Sequence, residues 1–519
     1  MLLSERLPLA ASLYAEAPAL VRHGQSIQYG ELHYLANQLG SVLFQEGLRA
    51  GDRIAFIGDP DPQMVVALYA AVGIGAIPTV VSPLLTAPEM AAILDDAEPK
   101  IVVHDKRRAE AVYTATNRIA STPLLFATED GSNSCSLRSL LQKDLPPPPG
   151  EACDRQMDDI AAIIYTGGTT GRPKGVMHSH RGMAAWNQFT PSAGFGYDRG
   201  RKVLVLNLSH LVGQFQLWAT MAAGGCLVFL DEYPANAYSI MEAVERERIT
   251  HLSTVGPLLH DLTIEASAAG RELRSLKVIG CGGSVISPHT MEKAIAQFPG
   301  ALLVNNYSQA ECGMAISRLL PIHHLEDPTR LRSVGRPEDL ASFGEQAFQV
   351  RIMNSEGHEA AVNEPGEIVV RGAQMMMGYW RQPEATDETI DDGWIRTGDA
   401  GCIDAEGYLY LLDRLKDMVI VGGSNVFCPE VEQVIAELEQ VAEAAVIGLP
   451  LPGEGEEIAA CVVLRDGTTL ELEQLRELCE PSLARHKWPA KLFILDKLPR
   501  TAVDKVDKRR IREQLQSIV

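Results

Sequence analysis

Residues Tyr165-Thr-Gly-Gly-Thr-Thr-Gly-Arg-Pro-Lys-Gly175 put three glycines and three threonines into the six positions Thr166, Gly167, Gly168, Thr169, Thr170 and Gly171, with a cation following at Lys174. Backbone N–H groups unobstructed by side chains, hydroxyls and an ammonium can converge on several phosphate oxygens, so the loop reads as a polyphosphate cradle. The apolar run Ile160-Ala-Ala-Ile-Ile164 immediately before it reads as a strand that gives the loop a rigid stem. A flexible surface turn leaves that junction and Lys174 without a reason. More familiar nucleotide loops are absent: there is no Walker A sequence, and Gly73 and Gly75 would need a third glycine where Pro78 stands.

The elements that must hold such a loop follow from pattern. Ile27 to Gly47 is amphipathic, Arg53–Ile57 is strand-like, Ala87 to Asp95 is helical, and Ile101–His104 is strand-like again. Repetition of strand then helix implies parallel sheets covered by helices, an α/β protein. Met64 to Val81 is the longest apolar run, but Gly73, Gly75 and Pro78 interrupt it, so it reads as a buried helix turning into a core strand and not as a membrane span. Pro146 to Gly150 reads as a polyproline II connector. Val369–Ala373 and Gly407–Asp413 read as short antiparallel strands, after which the pattern restarts as a small α+β unit. The expected domains are therefore residues 1–413 and 414–519.

The chain has 519 residues, 46% hydrophobic and 22% charged, which is too long for one core and too ordinary in composition for a disordered or fibrous protein. Its net charge of −21 argues against duplex nucleic acid or an anionic membrane as partner. Nine scattered cysteines without a C-x-x-C pair exclude a zinc ribbon and suit a reducing cytoplasm. The first residues lack a basic segment followed by a long apolar run, which argues against a secretory signal.

Beyond the loop, further segments occur in a fixed order: Asn207-Leu-Ser-His-Leu-Val-Gly213, Gly280-Cys-Gly-Gly-Ser284, Asn306-Tyr-Ser-Gln-Ala-Glu311, Gly393-Trp-Ile-Arg-Thr-Gly-Asp399, Asp413-Arg-Leu-Lys-Asp417, Gly422-Gly-Ser-Asn-Val-Phe-Cys-Pro-Glu-Val-Glu432 and Leu498-Pro-Arg-Thr-Ala-Val-Asp-Lys505. Together with the loop they resemble the signature motifs of the adenylate-forming (AMP-binding) superfamily, which holds acyl-CoA synthetases, peptide-synthetase adenylation domains and luciferases. The resemblance spans nearly the whole chain. It implies a large N-terminal adenylation domain of parallel sheets with a small β-barrel-like subdomain, and a small mobile C-terminal α+β domain.

It also implies a reaction. A carboxylic acid with a pKa of about 4–5 is already ionised at neutral pH and needs no general base to attack the α-phosphate of ATP. The obstacle is charge, as an anion meets a polyanion, so catalysis rests on Mg²⁺, cations and fixed donors. Glu311 is the expected Mg²⁺ ligand, with Thr169 assisting; capping a helix is its plain alternative. Lys505 resembles the family lysine that bridges the acyl carboxylate and the α-phosphate, although among Lys497, Arg500, Lys508, Arg509, Arg510 and Arg512 it would by itself read as part of a solvated face. Asp399 is expected on the ribose hydroxyls, with Arg414 on ribose or phosphate. Asn306 suits the adenine amine, and Tyr307 offers a ring to stack on the base or belongs to the core. Gly282, Gly283 and Ser284 form the turn beside the adenine, and Ser308, Gln309 and Ala310 complete the acidic motif. His210 lines the acyl pocket and positions substrate, or is a satisfied buried histidine; Leu211, Val212, Trp218 and Met314 join it in a mainly apolar pocket.

Two half-reactions imply two arrangements. Lys416 occupies the hinge position, and Gly422 and Gly423 would let a pantetheine arm pass close to backbone. The expected function is an acyl-CoA synthetase using ATP, Mg²⁺ and CoA; a carrier protein or an amine is the alternative acceptor, a silent acyl- or nucleotide-binding protein a further one, and a homodimer is compatible with both. Against amino-acid substrates, the pocket motif lacks the aspartate that pairs an α-ammonium. Gly167, Ser308, Ala310 and Asp504 depart from the family pattern, the first and third each removing a hydroxyl and the last placing a carboxylate beside Lys505. Ala484 to Arg512 holds ten Lys+Arg against three acidic residues, and this basic end is the expected seat of the catalytic lysine and of part of the CoA phosphate contact.

Overall fold

Strands rich in Val, Ile and Ala expose little polar surface on either face and are stable only in sheets covered on both sides. The computed structural model, which describes residues 1–131, 134–140, 154–166, 173–186, 202–269, 273–343, 348–422, 424–436, 438–451, 456–501 and 506–516, contains two such sheets. In one, Ile77–Val81, Arg53–Ile57, Ile101–His104, Leu124–Ala127 and Cys135–Ser136 lie in that order and all run parallel. The other has eight strands, ordered Gly313–Leu319, Leu302–Gln309, Val278–Gly282, His251–Val255, Lys202–Val205, Cys226–Phe229, Pro18–Arg22 and Gln25–Gln28. Its inner pairs are parallel, and the outermost pair at each edge is antiparallel.

The apolar run from Met64 divides as its glycines dictate. A helix, Pro62–Gly73, starts where the Asp61 carboxylate accepts a hydrogen bond from Gln63 N at 2.6 Å, and every residue from Met64 to Val72 is buried. Gly75, at φ +76°, turns the chain into the strand Ile77–Val81, and a Cβ there would stand 2.9 Å from Ala50 Cβ. No described helix is long and apolar enough to cross a membrane.

Four smaller sheets complete the described architecture, one of them the two-stranded pair Val419–Val421 and Ser424–Val426. Ile160–Thr166 and Lys174–Ser179 form an antiparallel hairpin to which Gly378–Tyr379 adds a third strand. Gln349–Met353, Gly366–Arg371, Trp394–Ile403, Ile390–Asp391 and Leu409–Arg414 make the half-barrel expected from the sequence. Near the C-terminus, Val441–Pro450 pairs antiparallel with Glu456–Leu464, which pairs parallel with Lys491–Ile494. The helix Cys428–Ala436 buries Cys428, Val431 and Ile435, one side of its cylinder, in the core of that last unit.

Packing divides the chain into two compact units, residues 1–350 with 370–395 and residues 351–369 with 396–519. The second unit thus takes in 351–369 and 396–413 besides the C-terminal residues. The proline run 146–150 lies outside the described residues.

Within the second unit, Asp413 accepts hydrogen bonds from Cys428 N and Arg414 N, both at 2.7 Å. Burial pushes its carboxyl up to about 6, and Glu432 adds to the rise against the pull of Lys508 and the two N–H donors. A carboxyl with a higher pKa folded than unfolded binds its proton more tightly in the fold, so its contribution favours the fold at low pH and is lost as pH rises through about 6. Asp413→Asn removes this dependence. Between pH 7.5 and 5 the wild type should gain about 1 kcal/mol relative to the variant in paired denaturant melts, and a pH-independent difference would contradict it.

Candidate active site

Ligands of open α/β sheets gather beyond the carboxyl ends of the strands. Three motifs sit there on the eight-stranded sheet: the Asn207–Gly213 turn follows Lys202–Val205, the glycine turn ends Val278–Gly282, and the acidic motif ends Leu302–Gln309. The parallel register places Gly282 directly beside Asn306. A Cβ on Gly282 would lie 2.4 Å from the Asn306 carbonyl oxygen, so only glycine lets these backbones meet, and Gly283 continues at φ +81°. Ser284 is exposed. Asn306 bridges strands: its Nδ2 donates to Cys281 O at 3.2 Å and its Oδ1 accepts from Arg318 Nε at 2.7 Å. Tyr307 is buried, as is Gln309, while Ser308 and Ala310 are half-buried.

The phosphate loop is described at its stems. Thr166 pairs with Lys174 at the last rung of the hairpin, and Gly167, Gly168, Thr169, Thr170 and Gly171 lie outside the described residues. On the entering stem Tyr165 donates its hydroxyl to Asp96 Oδ2 at 2.5 Å. Burial raises both pKa values, and the hydrogen bond to Asp96 pushes the tyrosine further up. On the leaving stem a Cβ at Gly175 would press on Ile163 at 2.9 Å and Tyr165 at 3.0 Å.

The segment Gly378–Gln382 backs this leaving stem rung by rung. Tyr379 pairs with Val176, Trp380 N donates to Gly175 O at 2.7 Å, and Gln382 Nε2 donates to Pro173 O at 3.2 Å. The arrangement brings Lys174 and Glu311 to one side chain. Lys174 Nζ lies 4.5 Å from the centroid of the Tyr379 ring, and the Tyr379 hydroxyl donates to Glu311 Oε1 at 2.9 Å. Burial, then the Glu311 charge, raises the Tyr379 pKa, which keeps it a donor. Residue type and spacing do not single out Tyr379. Its only signal in the sequence is a Gly-Tyr-Trp triplet far from both motifs, and pairing of distant strands is what joins them.

At the acyl motif, the turn is folded hard against the helix Leu211–Ala222, with half-buried His210 as the cap residue immediately before it. Asn207 Oδ1 accepts from Ser209 N at 2.8 Å and Ser209 Oγ at 2.7 Å, and Gln214 Nε2 donates to Leu208 O at 2.7 Å. Trp218 is fully buried, its Nε1 donating to Gln214 Oε1 at 2.9 Å and its ring meeting Tyr69 edge-on at 5.1 Å. It belongs to the core cluster that backs the turn. Leu211 and Met314 belong to the same core cluster, with Val212 packed against it.

The second unit holds the remaining candidates. Asp399 and Arg414 face each other across antiparallel strands, with Arg414 Nε 2.7 Å from Asp399 Oδ1. Lys416 has its pKa lowered by burial and by the neighbouring Arg414, Arg512 and Arg509, against the pull of Asp417. Gly422 has φ +55° and no atom within 4 Å of where a Cβ would sit; Gly423 and Lys505 lie outside the described residues. The base of the lysine loop is fixed by the bridge between Arg500 and Val506 and by Asp507 N donating to Pro499 O at 2.8 Å.

One expectation about charge changes. Six cations of the basic end are paired: Lys487 with Glu430 at 2.6 Å, Lys491 with Glu457, Arg500 with Glu443 and Lys508 with Glu432 at 2.7 Å, Arg512 with Asp417 at 3.2 Å, and Arg509 with Glu513 at 3.8 Å. The sequence excess therefore mostly holds the unit together. Arg485, Lys497 and Arg510 form no ion pair among the described residues and are what remains there for anion contact.

A family model described as AMP-binding enzyme matches residues 8–380, and one described as AMP-binding enzyme C-terminal domain matches residues 430–505. The chain belongs to the AMP-binding, adenylate-forming enzyme family. Among curated relatives, the long-chain-fatty-acid–CoA ligase FadD13 of Mycobacterium tuberculosis is 32% identical over 495 residues, covering 95% of this chain and 93% of its own. Among solved structures, the amide bond synthetase McbA from Marinactinospora thermotolerans matches with a TM-score of 0.86 at 27% identity, covering 99% of both chains. The o-succinylbenzoate coenzyme A synthetase MenE from Bacillus subtilis, in complex with ATP and magnesium ion, matches with a TM-score of 0.84 at 26% identity, covering 98% of both. The adenylate-forming fold accounts for the parallel sheets, the half-barrel and the separate C-terminal region together.

The Gly282–Asn306 contact yields a test. Gly282→Ala must push the two backbones apart, and strain of about 1–3 kcal/mol should weaken AMP binding by about fivefold or more in calorimetry. Gly280→Ala, whose nearest neighbour would lie at an ordinary 3.5 Å, should bind normally. Equal affinities in the two variants would show that the glycine turn does not border the nucleotide.

Proposed function

We propose that the chain is an ATP-dependent acyl-CoA synthetase, joining a carboxylic acid to ATP to give acyl-AMP and pyrophosphate, then passing the acyl group to CoA with release of AMP. The observation that carries the adenylation step is the meeting of Lys174 and Glu311 on Tyr379 at the stem of a glycine- and threonine-rich loop. A polyphosphate and its divalent cation need these two kinds of group close together: a cation for phosphate oxygens and a hard oxygen ligand for the metal. Glu311 fits Mg²⁺, since one carboxylate oxygen is engaged by Tyr379 and no cluster of three or more acidic, His or Cys groups exists among the described residues. Mg²⁺ is characteristically held by one or two carboxylates together with substrate phosphates, where it offsets their charge.

In the first half-reaction an oxygen of the ionised acid bonds to the α-phosphorus and the α–β phosphoanhydride breaks. Lys174 and the loop donors take up charge on the departing pyrophosphate, and Lys505 bridges the reacting carboxylate and α-phosphate. Asn306, Tyr307 and the Gly282–Ser284 turn hold the base, and Asp399 with Arg414 holds the ribose. His210, Leu211, Val212 and Met314 orient an apolar acyl group, aliphatic or aromatic. In the second, residues 414–519 turn about Lys416, Lys505 withdraws, and the pantetheine arm passes Gly422 and Gly423 so that the thiol attacks the acyl carbon and AMP departs. The reaction is assigned to the cytoplasm. Likeness to FadD13 and MenE supports CoA as acceptor; likeness to McbA supports an amine as the second reading.

A panel of carboxylic acids assayed for pyrophosphate release, with CoA, an amine or neither, should show acid-dependent turnover that CoA accelerates. Absence of acid-dependent release from every acid would refute adenylation, and acceleration by the amine alone would select the second reading. Lys505→Ala should abolish acid-dependent ATP–pyrophosphate exchange yet spare transfer from preformed acyl-AMP to CoA. Equal loss in both assays would overturn the two-arrangement assignment.

A further inference from the structure

We propose that Tyr379 is a positioning residue that holds the metal ligand Glu311 and the phosphate lysine Lys174 in separate, ready states, an inference that rests on the adenylation reading and deepens it. An ammonium and a carboxylate that share one neighbour are candidates to pair with each other, and nucleotide binding would then have to break that pair. Here each is engaged by a different part of the same tyrosine. Its hydroxyl satisfies one oxygen of Glu311 at 2.9 Å, and its face holds the Lys174 ammonium, 4.5 Å from the centroid, without a competing anion. Neither charge forms an ion pair among the described residues.

Such a residue must itself be immobile, and the chain fixes it from several sides. Its backbone N–H donates to Thr386 Oγ1 at 2.9 Å, and its register with Val176 ties it to the stem of the phosphate loop. Gly378 before it has φ +134°, with Thr386 Cγ2 only 2.7 Å from where a Cβ would be, so the segment cannot slide without steric cost. Trp380 after it donates Nε1 to Asp96 O at 3.1 Å, and Asp96 also receives the Tyr165 hydroxyl. Both stems of the loop are thereby braced on one short stretch of the helix Ala87–Ala97.

The hydroxyl and the ring have separable roles, so two substitutions divide them. Calorimetry of the non-reacting analogue α,β-methylene-ATP, with Mg²⁺ and with chelator, measures binding without turnover. Wild type should bind more tightly with Mg²⁺. Tyr379→Phe keeps the ring and should retain Mg²⁺-free affinity within about twofold while losing about tenfold or more of the Mg²⁺ gain, the equivalent of one hydrogen bond to a charged group. Tyr379→Leu should also lose about threefold or more of Mg²⁺-free affinity, the worth of a cation–π contact. Melting curves of both variants establish that they are folded. A full Mg²⁺ gain in Tyr379→Phe, or equal Mg²⁺-free affinity in the Leu and Phe variants, overturns the proposal. A wild type that does not bind the analogue overturns the adenylation reading and this proposal with it, whereas acid-dependent adenylation with an unaltered Tyr379→Phe overturns the proposal alone.

Discussion

The pairing of Gly378–Tyr379 with Lys174–Ser179 is the contact on which the site depends, because a glycine-rich loop has no conformation of its own to offer. Its many N–H groups are useful only where the two stems hold them, and the stems here are short. One is tied by Tyr165 to Asp96, the other is covered by residues 378–382, and Trp380 connects the two braces through Asp96. Backbone hydrogen bonds supply the geometry while side chains supply the charge.

Charge is arranged on the same principle. For an acidic protein of net charge −21 to receive a polyanion, a few cations must be kept apart from the surplus of carboxylates. Lys174 rests on a ring, and Glu311 accepts a hydrogen bond from that ring's hydroxyl. The C-terminal unit does the reverse. Lys487, Lys491, Arg500, Lys508 and Arg512 are engaged by acidic partners that tie its helices and strands together. A cluster of cations in a sequence is thus no measure of the positive potential it presents.

The acyl turn shows how packing sets what a motif residue can do. Trp218 has the size and apolarity of a pocket wall, and in sequence nothing separates that role from a core one. Its ring lies against Tyr69, and its N–H reaches the Asn207–His210 turn only through Gln214, so it shapes the position of His210 from behind.

Alternating β-branched and helical segments were enough to specify parallel sheets, and the broken apolar run after Met64 was enough to specify a helix followed by a strand, because burial on both faces and backbone breakers are local properties. The ordered motifs likewise specified the family. Adjacency across long stretches of chain was not encoded locally. That Gly282 must lack a side chain beside Asn306, that Trp218 faces inward, that most of the basic end is paired with acidic partners such as Glu430, Glu432, Glu443, Glu457 and Asp417, and that Tyr379 meets both Lys174 and Glu311 are facts of strand register and packing. Residue type and spacing state which chemistry a chain carries; only the fold decides which of those groups meet, since partners distant in sequence are chosen by the sheet that joins them.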